Sequence, residues 1–131
     1  MFLQLAAVCD KARQVEHGKL NISGIFNDLS APGFPAKHDM VLVLVIQWSH
    51  RDAGRYDFQV DLIGPGKRPS MTVRGHSDVD HRDPLGPAPR TQLILPLKEV
   101  IFPEKGVYEF HIQVKGRTLK GPSLYLIETK E

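Results

Sequence analysis

Phe102-Pro103-Glu104-Lys105-Gly106-Val107-Tyr108-Glu109-Phe110-His111-Ile112-Gln113-Val114 is the stretch whose reading decides the fold. Pro103 and Gly106 frame a short turn, and a strictly alternating run follows. Tyr108, Phe110, Ile112 and Val114 fall on one side; Glu109, His111 and Gln113 fall on the other. Alternation with period two marks a strand with one buried and one wet face, because successive side chains point to opposite sides of a sheet. The turn at Gly106 feeds Tyr108 into the start of this strand. A tyrosine corner requires that arrangement: the ring packs inward and the hydroxyl reaches back to upstream backbone. The stretch predicts one strand of a β-sandwich, with Tyr108 and Gly106 in structural roles.

Downstream, Lys115-Gly116 predicts a tight hairpin turn of the kind glycine favours, and a last strand over about 118–128. Upstream, Leu93, Leu95 and Leu97 align in a strand over 91–97, and 98–102 reads as a short helical step between layers. Segment 78–90 is the longest irregular piece, since Pro84, Gly86, Pro87 and Pro89 exclude regular pairing. Tyr56, Phe58, Val60 and Leu62 alternate cleanly against Asp57, Gln59 and Asp61. The turn from Gly64 to Pro69 then leads into a weaker strand over 70–77.

The run 40–48 is the most hydrophobic part of the chain, with Leu42, Leu44, Ile46 and Trp48 interleaved with Val41, Val43 and Val45. Both faces are apolar, and the valines favour a central strand over a helix. Before it, Leu20, Ile22 and Phe26 share one face of a strand over 20–28. Gly24 on that face marks a bulge or a close backbone approach. The prolines of 31–35 make a loop. The chain opens on a strand over 2–9, and the polar segment 10–18 accommodates a helical turn capped by Asp10. About eight strands at regular spacing, with no repeat or linker, predict one all-β domain over 1–131. The architecture is an antiparallel sandwich, immunoglobulin-like or jelly-roll-like.

A chain of 131 residues buries roughly two-thirds of its unfolded surface without staples. Hydrophobic residues make up 41% and charged residues 24%, which favours neither disorder nor a membrane span. The longest apolar run, 40–46, is far shorter than the roughly 20 residues of a transmembrane helix. The apolar N-terminus lacks a basic leader, and Asp10 and Lys11 end it too early for a secretory signal. A single cysteine, Cys9, makes no disulfide within the chain and points to a reducing, cytoplasmic setting. It reads as a small core residue. The formal charge is +2, and Lys and Arg are mixed with Asp and Glu. No basic block suggests a nucleic-acid stripe.

One local cluster could carry ligand chemistry: His76, Asp78, Asp80, His81 and Asp83 offer nitrogen and oxygen donors to a divalent cation. Their spacing matches no standard zinc pattern and lacks the glycine and terminal glutamate of a calcium loop. The segment reads as a solvated loop tip, and neither a metal nor any other cofactor is expected. Gly64-Pro65-Gly66-Lys67 is too short for a phosphate loop and leads into a strand. There is no Gly-x-Ser-x-Gly elbow. His111 points outward in its alternation. Trp48 and Tyr56 fall on inward registers, so with Tyr125 they read as core aromatics rather than a sugar platform.

The apolar first strand is followed by Gly18-Lys19-Leu20-Asn21-Ile22, Gly24-Ile25-Phe26, Phe34-Pro35 and Val41-Leu42-Val43-Leu44. Phe102-Pro103-Glu104, Gly106, Tyr108 and Phe110 complete a pattern spanning nearly the whole chain. It resembles a family of small bacterial single-domain proteins of unknown function. The resemblance implies a β-sandwich and carries over no catalytic residue.

The reading is a non-enzymatic interaction or assembly module with a protein partner. Its alternatives are a module that binds a ligand such as a carbohydrate, and, further off, a metal-dependent jelly-roll enzyme. Val41, Val43 and Val45 occupy the face of their strand that should be wet. Monomers seldom leave large apolar patches uncovered. The cover is segment 10–18, the loop through Phe34, or a second copy of the chain. Because Phe2 and Ile25 also fall on outward registers, the second copy is favoured.

Overall fold

The computed structural model describes residues 1–129. They form nine strands: β1 (Phe2–Gln14), β2 (Leu20–Ile25), β3 (Asp28–Ala31), β4 (Ala36–Gln47), β5 (Gly54–Ile63), β6 (Pro69–Val79), β7 (Arg90–Phe102), β8 (Gly106–Val114) and β9 (Arg117–Glu128). A single 3-10 turn, Glu16–Gly18, lies between β1 and β2. One sheet has the order β2-β1-β4-β7 and the other β3-β9-β8-β5-β6. Pairing is antiparallel except between β3 and β9. The all-β sandwich is therefore the fold of this chain.

The core is built from the alternations. Leu42, Leu44 and Ile46 of β4 and the adjoining Trp48 point inward with Val60, Leu62, Phe110, Ile112 and Leu124, all at most 2% exposed. Burial of a side chain of this size stabilises by about 1.5–3 kcal/mol, which is why the period-two pattern dictates which face of each strand turns in. Trp48 stacks on Tyr56 with ring centroids 4.8 Å apart, and its indole N–H donates to Thr91 Oγ1 at 2.8 Å. Lys115 and Gly116 both have positive φ, 53° and 68°, which closes the β8–β9 hairpin with the twist its strands need.

Tyr108 is 1% exposed. Its hydroxyl donates to the Glu104 carbonyl at 2.7 Å, and its ring meets Phe102 edge-on at 5.0 Å. This is a tyrosine corner at the β7–β8 turn. Tyr108→Phe removes this hydrogen bond, and the longer one the hydroxyl accepts from the Glu104 N–H at 3.3 Å, and keeps the ring. Its expected loss is about 1 kcal/mol of unfolding free energy, measured by urea denaturation.

Several boundaries differ from the sequence reading, each for a local reason. Segment 10–14 continues β1 as a strand, because residues 11–14 pair with 20–23 of β2; the helical turn shrinks to Glu16–Gly18. The run 20–28 divides between sheets. Phe26 N–H donates to Val8 in the first sheet at 3.0 Å, and the Asn27 carbonyl accepts from Tyr125 in the second at 2.8 Å. This crossing creates β3 and takes the strand count from about eight to nine. The step expected at 98–102 is strand, interrupted by a bulge opposite His38 and Met40. There Glu99 takes a φ of 52°, and its N–H donates to Asp39 Oδ1 at 2.7 Å, so a carboxylate replaces the missing ladder partner.

The outward valines are covered from within. Val43 is 0% and Val45 4% exposed in a single chain, although both lie on the outward register beside Ala7 and Leu5 of β1. Past Cys9, β1 leaves β4 and pairs only with β2. The hairpin then folds back across the sheet. Its tip reaches β7, where Gln92 Nε2 donates to the Gly18 carbonyl at 2.9 Å and Gln14 Nε2 donates to Gln92 Oε1 at 3.1 Å. A straight extension of β1 would carry Gln14 in the opposite direction, several residues beyond Val41. The fold-back occurs where Gly24 has a φ of 72° and Asp10 lies against the position a Cβ would take. Val43 and Val45 are thus sealed by the β1–β2 hairpin, and they do not form the surface on which a second copy was expected. Val41, half-buried, borders a shallow hollow beside Ala12 and Ser23.

Candidate functional site

The outward series of β4 reads Val41, Val43, Val45, Gln47. It turns polar where the hairpin cover ends. Gln47 pairs with Arg90, and Val45 with Gln92, on the same outward face of β7. Gln4 sits at the β1 irregularity between Leu3 and Leu5, and accepts from Arg90 Nη1 at 3.2 Å. These residues make the floor of a groove of about 770 Å³. One wall is the hairpin tip, with Gln14, His17 and Gly18; the other is loop 80–89, with Arg82, Pro87 and Ala88.

The loop wall is held in place despite its prolines. Trp48 N–H donates to the Pro89 carbonyl at 2.8 Å, and His50 Nε2 lies 2.9 Å from the Gly86 carbonyl. Asp83 caps its own turn, accepting the Leu85 N–H on Oδ1 at 3.0 Å. The lining holds two guanidinium groups, an imidazole and four primary amides, and no carboxylate. Gln14 and Gln92 are committed to holding the hairpin. Among the described residues, the side chains of Gln47, Arg82 and His17 make no hydrogen bond to protein. They face solvent-filled space with donors to spare.

A second open hollow, about 760 Å³, lies on the outer face of the other sheet among Asp57, Gln59, Arg74, Lys115 and Arg117. It is less suited to recognition. It includes a carboxylate, and Lys115 is already paired with Asp52. That pair ties the β4–β5 loop to the β8–β9 turn. Asp52 is 4% exposed; the Lys115 ammonium, and then the Ser49 N–H, hold its carboxyl below the usual range. A group whose folded pKa is depressed adds stability above its unfolded value, about 3.9, and loses it as pH falls through the folded value. Asp52→Asn is therefore expected to lower Tm by several degrees at pH 7. The gap from wild type closes below about pH 4, as a pH series of thermal melts checks.

The loop cluster does not assemble. His76 and Asp78 lie on β6, and Asp78 accepts from Arg55 Nε at 2.9 Å. Asp80, His81 and Asp83 are exposed on the loop beyond it. Among the described residues no three His, Cys, Asp or Glu side chains come together as a cation site. Tyr125 is separated from the Trp48–Tyr56 stack and pairs with Val107 at the other end of the sandwich. Cys9 is fully buried, and that burial pushes its thiol pKa up, which is the behaviour of a packing residue. No described helix is long and apolar enough to cross a membrane.

The groove escaped the sequence reading because its residues come from five separated segments. One signal was present: the outward valine series ends in a glutamine. Gly106 and Tyr108 stand at the tyrosine corner, at the far end of the strands from the groove. No curated protein and no solved structure matches this chain. Consistent with the resemblance carried by its turn and core motifs, a family model described as a family of unknown function, DUF6941, matches residues 4–127, and the chain belongs to that family.

Proposed function

We propose that this protein is a non-enzymatic interaction module that receives a protein partner in the groove between the β1–β2 hairpin tip and loop 80–89. The observation that carries the reading is the lining of that groove. Amides and guanidinium groups on a floor and two anchored walls recognise a surface by hydrogen bonding and charge. With Val43 and Val45 sealed inside one chain, the partner is a different protein rather than a second copy meeting on that face. A single buried cysteine suits a cytoplasmic setting, and the family resemblance adds a bacterial one.

A photoreactive amino acid placed at Ala88, on the loop wall, tests the reading in cells of the native host. The expected result is a discrete cross-linked protein that disappears when Arg82→Glu and Arg90→Glu are combined. No cross-linked protein, or one indifferent to both charge reversals, overturns it.

A further inference from the structure

We infer that the partner presents an extended acidic segment, whose carboxylates meet Arg82 and Arg90 and whose backbone amides meet Gln47 on the floor. This inference rests on the groove being the partner site. The charge of the lining is the first argument. The lining holds two fixed cations, Arg82 and Arg90, and no acid. Asp83, next to Arg82, is turned to its own loop backbone. Arg90 sits on the floor and Arg82 on a wall, in a hollow of about 770 Å³. One small oxyanion would leave most of it unfilled, so several separated negative charges match it better.

The second argument is the amide beside Arg90. Gln47 projects from the floor beside Arg90. A primary amide both donates and accepts, as a peptide unit does. An extended chain carries both carboxylates and peptide groups, and these complement the guanidinium and amide groups of the lining. No Trp, Tyr or Phe lines the groove, so it lacks the broad aromatic platform that commonly receives a sugar face or a nucleobase.

Fluorescently labelled hexaglutamate, titrated into the intact protein and read by anisotropy, tests the inference. Saturable binding is expected, weakening with added salt, together with amide resonance shifts at Gly18, Arg90 and Gln92. Arg82→Gln with Arg90→Gln, both exposed positions, is expected to weaken binding at least about tenfold, with circular dichroism confirming the fold. Backbone N-methylation of the peptide is expected to weaken it as well. Equal binding of oligogalacturonate or inorganic phosphate overturns the acidic peptide in favour of a simple anion site. Indifference to N-methylation or to the arginine substitutions also overturns it. If the Ala88 cross-link persists while hexaglutamate fails to bind, the acidic class falls and the groove stands. If both fail, the groove itself falls.

Discussion

Val43→Glu is expected to unfold this domain rather than split an assembly into folded monomers. Val43 is 0% exposed between Ala7 and Ile94 on the outward face of the first sheet, beneath the β1–β2 hairpin. A carboxylate there has no cationic partner. It must either stay buried, at a cost of more than about 3 kcal/mol, or lift the hairpin and expose Val45 and Cys9 with it. Typical domains hold only about 5–15 kcal/mol in total, so the expected outcome is loss of the cooperative urea transition followed by circular dichroism. Gln92→Ala is the milder companion. It removes both hydrogen bonds that hold the hairpin tip and is expected to lower stability by about 1–2 kcal/mol. A Val43→Glu protein that stays folded, with a smaller light-scattering mass than wild type, would return the valine face to a second copy.

The same valines show how far the sequence could be read. Their alternation with Leu42, Leu44 and Ile46 placed a central strand with both faces apolar, and β4 is that strand, flanked by β1 and β7. Period-two patterns report which face of a strand is dry because a slip of one residue would expose the whole set. They do not report what dries it. Segment 10–18 was among the possible covers, and its polar composition disguised a strand. Ala12, Leu20 and Ile22, half-buried on the hairpin, alternate too sparsely to announce a covering layer. The crossing at Phe26–Asn27 was hidden for a related reason: an extended chain changing sheets keeps its alternation, and only the new hydrogen-bond partner reveals the change.

Hairpin and groove are one construction. Gln92 anchors the tip over the valines through Gly18 and Gln14, and the same tip supplies a wall of the groove. A partner seated against His17 and Arg82 would therefore bridge hairpin and loop. Ligands that bind the folded state alone raise its apparent stability by mass action. Charge and amides from five segments become a site only after folding, so no local motif could have disclosed them. The cluster at 76–83 is the converse case. Its ligand types are close in sequence, yet β6 continues to Val79 and Arg55 takes Asp78, which leaves the remaining donors scattered along strand and loop.

Gly64→Ala is expected to be a strongly damaging single-methyl change, with a loss of about 3 kcal/mol. A Cβ built on Gly64 would press into the Tyr108 ring, against Cε2 and 2.7 Å from Cδ2. The ring is held on two sides. Phe102 meets it edge-on at 5.0 Å, and its hydroxyl is held by the Glu104 carbonyl at 2.7 Å. Overpacking of a closed site costs about 1–3 kcal/mol, and dislodging the ring adds the corner's hydrogen bond, about 1 kcal/mol. Gly66, two residues on in the same turn, supplies the control, since a Cβ there meets nothing within 4 Å. Gly66→Ala is expected to change stability by a few tenths of a kcal/mol at most. A double-mutant cycle separates steric conflict from any effect on the turn itself. In a Tyr108→Ala background the added methyl has space, so Gly64→Ala should become nearly neutral, giving a coupling of about 2 kcal/mol or more. Equal urea midpoints for Gly64→Ala and Gly66→Ala would mean that the Tyr108 ring has room to move and that the corner is looser than its burial indicates.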